Sequence, residues 1–268
     1  MSSPASDTDS GTAAGELAAP PKKRPRISAE DRGLLLGIPI LVVVILAGWT
    51  IWRMTADLDD VESRQLAWGN VLHLTWQHIV LVVISALIVM ALAVPLGVLL
   101  TRRSTAFLSP IFMGIANAGQ AAPVIGVVVL LAIWLGFGTP VAVLALVIYA
   151  FLPVLSNTIT GLRSIDPSLK ESARGMGMST SQVLFRVELP LAVPVIMTGA
   201  RTALVLLVGA GAFATFIDAG GLGTLINTGI TLYRFSILTS GAILVAVLAL
   251  IIEWVGRVME LVFKPKGL

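Results

Sequence analysis

Apolar residues run in blocks long enough to cross a bilayer, at about 33–52, 77–100, 111–135, 139–160, 195–217 and 237–262, and the polar residues collect between them. An α-helix needs roughly 20 residues to span about 30 Å of hydrocarbon. A chain in lipid must also satisfy its own backbone N–H and C=O groups, so blocks of this length predict six transmembrane helices and an all-α protein. Residues 1–32, rich in Ser, Ala, Asp, Gly and Pro, cannot bury a core and are expected to be a disordered tail. No small-x-small cleavage pattern follows the block at 33–52, which therefore reads as a retained anchor rather than a removed signal peptide. A polar loop at 53–76, a helical body at 77–262 and a short tail at 263–268 complete the division.

An ordinary soluble domain is roughly a quarter charged. Here 12% of 268 residues are charged and 56% are hydrophobic, which excludes a soluble globular protein. With no cysteine, disulfides, thiol catalysis and cysteine-ligated metals are excluded too. The net charge of +3 reflects membrane orientation rather than a nucleic-acid surface. Fourteen of the 18 Lys and Arg lie in the tail, at Arg102 and Arg103, within 161–194 and near the C-terminus; Arg53, Arg64 and Arg234 lie on the other side, and Arg201 near the inner membrane edge. By the positive-inside rule both termini are cytoplasmic and 53–76 is an extracytoplasmic loop. The cluster Lys22, Lys23, Arg24 and Arg26 has the composition of a nuclear signal, but ahead of an apolar span the same rule explains it. Trp49, Trp52, Trp68, Trp76 and Trp134 fall near the outer interface, where indole rings prefer to sit.

One polar segment is out of character. Residues 161–194, on the cytoplasmic side, carry strong helix punctuation: Asp166-Pro167 as an N-cap with proline at the first helical position, and Ser179 with Gln182 as a capping box. Gly175 and Gly177 stand between these starts, predicting two short helices joined by a Gly-Met-Gly elbow. Such a loop, presenting Leu169, Ala173, Met176 and Met178 beside Lys170, Glu171 and Arg174, suits a groove on another protein. The alternative is a helix lying on the membrane surface, but such helices are usually rich in Lys and Arg on the polar face, and here the charges nearly balance.

No catalytic or metal site is expected. The lysines, at 22, 23, 170, 264 and 266, include none in a Gly-x4-Gly-Lys-Ser/Thr setting. Gly209, Gly211, Gly220, Gly221 and Gly223 lie in or at the end of an apolar block, not between a strand and a helix, which argues against a dinucleotide loop. Gly199, Ala203, Ala210 and Ala214 suit close helix packing. His73 and His78 lie on different helix faces, which argues against a metal pair and leaves them interfacial. Ion-coupled carriers commonly keep a carboxylate at membrane depth. Asp218 and Glu253 lie only near span ends, which counts against that class, although a carbonyl-lined sodium site leaves no such mark. A purely structural anchor would not require so ordered a cytoplasmic loop. Asn117 and Gln120, followed by Pro123, interrupt the third block; they suit a translocation surface or gate, or else hydrogen bonding between helices. Arg201 is positioned either to pair with the loop or to snorkel to the interface.

The same loop reads Glu171-Ser172-Ala173-Arg174-Gly175-Met176-Gly177, then nine residues, then Val187-Glu188-Leu189-Pro190. This closely resembles the EAA motif of ABC importer permeases (E-A-A, three residues, G, nine residues, I-x-L-P), with Ser172 at the second position and Val187 in place of Ile. The likeness runs from about Trp68 to the last span, and residues 1–66 carry little of it. The stretches Asn117 to Pro123, Tyr149 to Pro153 with Asn157 and Thr158, Gly161 to Arg163, and Asp218 to Gly223 look like the osmoprotectant branch of these permeases (glycine betaine, choline, carnitine), of the Yeh/Osm type. Where this chain has Gly211-Ala-Phe-Ala-Thr-Phe-Ile-Asp218, many members of that branch have a Thr-Ala-Thr-Leu-Ala-type run.

The resemblance implies a type I ABC importer permease fold in a bacterial inner (plasma) membrane, with a five-helix core after an N-terminal helix. It makes 161–194 the coupling loop, seated in a cleft of a cytoplasmic ABC ATPase dimer. Glu171, Ala173 and Gly177 become the central contacts, with Arg163, Ser172, Gly175, Leu189 and Pro190 around them; Asn117, Gln120, Pro123, Tyr149 and Asn157 are candidates for the translocation pathway. ATP and Mg would be bound by the partner ATPase, with no cofactor or metal in this chain. Further implied partners are an extracytoplasmic substrate-binding protein, a second permease copy or a paralogous permease, and membrane lipid, with no nucleic acid. The implied cargo is glycine betaine or a related quaternary amine. The alternatives are another small solute, such as methionine or a sulfonate, and, outside the class, ion-coupled transport. Aromatic faces hold a quaternary ammonium best. With only two tyrosines, Tyr149 and Tyr233, and mostly interfacial tryptophans, the cage is expected on the binding protein.

Overall fold

The computed structural model describes residues 29–263, with side chains from 33 to 261. The rest of the predicted tail, through Ser28, and residues 264–268 lie outside the described residues. All regular structure among the described residues is helical. The long helices are α1 (Ala29–Thr55), α3 (Trp68–Leu100), α6 (Thr139–Arg163), α9 (Leu189–Gly211) and α11 (Phe235–Phe263). Each carries a stretch long and apolar enough to cross a membrane. Between them lie α2 (Asp60–Gln65), α4 (Ser109–Ala121), α5 (Val124–Leu135), α7 (Pro167–Gly175), α8 (Thr180–Val183) and α10 (Gly223–Thr231).

The third apolar block is the one that does not form a single rod. It is divided into α4 and α5, bent by 98° at Ala122-Pro123. Proline has no amide hydrogen and drives the preceding residue out of the helical region, and Ala122 is accordingly extended at φ −65° and ψ 140°. The second block also differs, because α3 begins at Trp68 rather than near residue 77. Its first turns contain His73, Gln77 and His78, whose polarity hides the helix from an apolar pattern.

Helix α6 is the hub, packed by α3, α4, α5 and α9 and buried along most of its length. Small residues let the neighbours in. A methyl added at Gly97 of α3 would lie 2.6 Å from Thr158, and one at Gly199 of α9 would lie 2.7 Å from both Asn157 and the Pro153 carbonyl oxygen. Helix α1 lies outside this core against α11. Trp49 is buried there at 5% exposure, donating its indole N–H to Ser240 Oγ at 3.0 Å, so it is a packing residue and not an interfacial one. Trp52, Trp68, Trp76 and Trp134 are exposed, as interfacial indoles would be. The Trp254 indole N–H donates to the Leu35 carbonyl at 2.9 Å and ties the two helices again near their other ends.

Helix α2 starts in a capping box of Asp59 and Glu62, and the same two residues reach across to Arg234 and Ser236. The Glu62 backbone N–H holds the Asp59 carboxyl below its ordinary value. Thus the loop before α3 clasps the turn between α10 and α11.

Helix α9 ends in a tightened turn, Ala212–Ile217, after which Asp218 takes a left-handed conformation (φ 58°) and Gly220 and Gly221 have φ of 74° and 87°. His78 fills the space beneath. It is fully buried, not interfacial, because the tightened turn withdraws the amide that would have paired with the Val208 carbonyl, and the imidazole Nε2–H donates there at 2.9 Å. Its Nδ1 accepts the Leu222 N–H at 3.2 Å, which fixes the tautomer, and Gln77 Oε1 accepts the Gly221 N–H.

Gly223 packs so closely that a methyl there would collide with the Ala212 carbonyl oxygen, whereas Gly114 has open space around it. Gly223→Ala should destabilise the protein by about 2 kcal/mol or more, through forced backbone movement. Thermal unfolding in lipid nanodiscs, with Gly114→Ala as a near-neutral control, checks this; equal melting of the two variants would contradict it.

Candidate functional site

The loop between α6 and α9 folds as its punctuation requires. Asp166 accepts the Ser168 backbone N–H at 2.8 Å, and Pro167 opens α7. That hydrogen bond holds the Asp166 carboxyl below its ordinary value. A depressed folded value means the cap's charge stabilises α7 above the ordinary carboxylate range. The contribution is lost only as pH falls through the folded value, so α7 keeps its cap across neutral pH. Gly177, at φ 83°, closes the helix: its N–H donates to the Arg174 carbonyl at 2.9 Å while the Met178 N–H donates to Ala173 at 3.2 Å. This paired pattern needs a left-handed residue at that position, which favours glycine. Ser179 and Gln182 form the capping box of α8. A π turn, Leu184–Glu188, then leads into α9 just before Pro190, a residue with no amide to continue the ladder.

The loop has two distinct faces. Toward the helical body it buries Ile165, Ala173, Val183 and Glu188. Toward solvent it exposes Leu169 and Met176 at 48% and 72%, together with Glu171, Ser172, Arg174, Gly175 and Gly177. Ala173 thus faces the chain itself, and Met178 is half-buried. Arg163 and Pro190 are exposed and Leu189 is half-buried; the Arg163 guanidinium donates to Ser109 Oγ at 3.4 Å.

Glu188 was not legible as an anchor, and it is the charged centre of the arrangement. Its carboxylate accepts from the Arg102 guanidinium at 2.6 Å, and Lys170 Nζ lies 3.8 Å away. The Lys170 ammonium also donates to the Leu162 carbonyl at 3.2 Å. Helices α6, α7 and α9 and the end of α3 therefore meet at one buried carboxylate. The available signal was an acid between apolar residues at the mouth of a span, but its partner Arg102 is 86 residues away.

The polar residues of the membrane region fall into two groups. Asn117 is exposed, Gln120 is half-exposed, and neither side chain makes a hydrogen bond among the described residues; with Pro123 at the bend they share the broken span. Asn157 instead donates to the Pro153 carbonyl at 2.8 Å and packs beside Gly199, and Tyr149 rests half-buried against the core. Arg201 pairs with Glu253 at 3.5 Å and Glu260 at 3.3 Å on α11, rather than with the loop.

A helical membrane body with an ordered loop of this construction is the class of a transport permease. Residues 93–261 match the family described as the binding-protein-dependent transport system inner membrane component, and the chain belongs to that family. The choline transport system permease protein OpuBB of Bacillus subtilis (strain 168) is 38% identical over 78% of this chain and 95% of its own length. The carnitine transport permease protein OpuCB of Listeria monocytogenes is 39% identical over 74% and 90%. The osmoprotectant import permease protein OsmW of Salmonella typhimurium strain LT2 is 38% identical over 75% and 94%. Among solved structures, an inward-facing conformation of the MetNI methionine ABC transporter superposes with a TM-score of 0.66 at 24% identity, covering 78% of this chain and all of that one. A bacterial alginate ABC transporter chain superposes with a TM-score of 0.62 at 18% identity, covering 88% and 97%. At such identities the structures show a shared fold, that of ABC importer permeases.

Replacing Glu188 by Gln leaves two cations facing a neutral amide. The expected cost is about 2–3 kcal/mol, below that of a fully buried broken pair because both cations are about a quarter exposed. Thermal unfolding measures this directly, and an unchanged midpoint would show that the ion pairs do not hold α7.

Proposed function

We propose that this chain is the transmembrane permease subunit of an ATP-driven importer of glycine betaine or a related quaternary-amine osmoprotectant, in a bacterial inner membrane with both termini cytoplasmic. The observation that carries the reading is the loop at 161–194. Its exposed face from Leu169 to Gly177 is rigidly capped at both ends, and its buried face is fastened through Glu188 to α3 and α9. A face built in this way transmits a displacement rather than absorbing it.

In this reading a cytoplasmic ATPase dimer binds ATP and Mg and grips the exposed face, with Glu171, Ser172, Gly175 and Gly177 in contact and Ala173 setting the depth of α7 from beneath. Arg163, Leu189 and Pro190 mark where the loop joins α6 and α9. Closure of the ATPase dimer moves α7, and the buried ion pairs carry the movement into α3, α6 and α9, alternating access. A binding protein delivers the substrate from the other side. The uncommitted amides of Asn117 and Gln120 support a surface on α4 facing water or a second permease chain, because an unpaired amide in hydrocarbon costs several kcal/mol. Segment 53–76 then lies outside, where Asp59 and Glu62 stabilise the turn before α11.

The choice of a quaternary amine follows the names of the relatives, which carry choline, carnitine and osmoprotectant transport at 38–39% identity. Ion coupling finds no support in the charged groups of the membrane region. Glu253 and Glu260 are paired with Arg201, and Arg257 with Glu253, so both carboxylates are engaged in ion pairs within the chain.

Glu171→Lys should abolish association with the ATPase, reducing transport at least a hundredfold while membrane insertion stays intact. Co-purification and uptake assays read these out, and a normally coupled variant would remove the docking reading. Uptake of labelled glycine betaine, with ATPase and binding protein present, should depend on this chain and survive collapse of the proton gradient while ATP is maintained. Loss on collapse would point to ion coupling instead.

A further inference from the structure

Between α9, the tightened turn after it, α10 and α11 lies a cavity of about 560 Å³, within the range typical of small-molecule sites. Its walls include Gly209, Phe213, Phe216, Asn227, Ala242 and Ala246. Residues three apart eclipse one another in a turn of three residues per revolution. The rings of Phe213 and Phe216 therefore stack along one edge, with centroids 6.4 Å apart and planes within 20°. The other walls include the small residues Gly209, Ala242 and Ala246. Non-helical backbone at membrane depth is tolerated where it is buried or lines a cavity, and the break between α9 and α10 does the latter.

The lining is specific in its chemistry. It contains no Lys, Arg, Asp or Glu, so an anion has no counter-charge there. The aromatic faces offer negative electrostatic potential, which attracts a compact cation. A trimethylammonium group has no N–H to donate, so it gives up no donated hydrogen bond on leaving water, while ring faces and alanine methyls match its surface. Asn227, half-buried and with its side chain making no hydrogen bond among the described residues, supplies one amide for a hydroxyl or carboxylate at the other end of such a molecule. Asp218 ends the same turn, exposed and without an ion pair among the described residues, adding negative charge nearby.

We infer that this cavity is a binding site for quaternary-ammonium solutes within the permease itself, with Phe213 and Phe216 as the cation-holding surface and Asn227 as the polar contact. The inference rests on the proposed import of such solutes and adds a second selection step, after capture by a binding protein.

The test uses the complex of this chain with its ATPase in nanodiscs, without the binding protein, and measures equilibrium binding of radiolabelled choline. Saturable binding is expected, displaced by tetramethylammonium and at least tenfold more weakly by 3,3-dimethyl-1-butanol, the neutral isostere. Phe213→Leu with Phe216→Leu should weaken choline binding tenfold or more, while Phe216→Trp retains it. Because the isostere comparison is made on the unaltered protein, it decides even where the double variant folds poorly. Equal displacement by the neutral isostere, wild-type affinity in a folded double variant, or no saturable binding by a complex that does import choline with its binding protein would each overturn the site. A complete complex that imports neither choline nor glycine betaine would instead remove the import reading, and the site with it.

Discussion

The buried carboxylate of Glu188 is the constraint on which the rest depends. Its side chain is 6% exposed at the start of an apolar helix, where an uncompensated charge would cost several kcal/mol. It is held there by a charge-assisted hydrogen bond from Arg102 and by the ammonium of Lys170, which also donates to the Leu162 carbonyl near the end of α6. The arrangement is asymmetric in a useful way. Arg102 fixes Glu188 to the end of α3 at hydrogen-bond distance, while Lys170 extends the same charge to α7 at longer range. Through Lys170, α7 thus shares the charge that fixes α9 to the end of α3.

The opposite end of α9 is held by a side chain from the same partner helix. His78 of α3 donates to the Val208 carbonyl that the tightened turn leaves free, and it receives the Leu222 N–H on its other nitrogen. Both ends of α9 are thus fastened toward α3, one by charge and one by a histidine of fixed tautomer. Along its middle, Gly199 lets α9 approach α6, and Arg201 bridges to two glutamates of α11. A helix gripped in this way is tied to α3 at both ends and to α6 along its middle, as the proposed coupling through the loop would require.

Local features were legible in the sequence and distant pairings were not. The Asp166-Pro167 start, the Ser179 and Gln182 box and the Gly177 stop all formed as read, because each depends on atoms within a few residues. Five spans followed from apolar length alone, and the sixth is present where the bent pair α4 and α5 is taken as one. Pro123 was visible, but the 98° bend it permits depends on where α5 packs. For Trp49 and His78 the sequence shows only their distance to a span end. Their burial is explained by Ser240 and by Val208 and Leu222, each more than a hundred residues away. Glu188 and Arg102 lie 86 residues apart, and nothing in the pattern around either one names the other.

Polar groups inside the membrane region then divide by whether their hydrogen-bonding capacity is used. His78, Asn157, Arg201 and Glu188 have partners within the chain, so their presence in an apolar environment is explained by packing. The amides of Asn117, Gln120 and Asn227 have none among the described residues; the first two lie in α4, before the 98° bend, and the third in α10, after the irregular turn that ends α9. Lipid would leave them at a cost that water or another chain removes. Irregular backbone and unused amides therefore occur together. The paired residues, by contrast, tie helices to one another: His78 joins α3 to α9 and its tightened turn, and Arg201 joins α9 to α11.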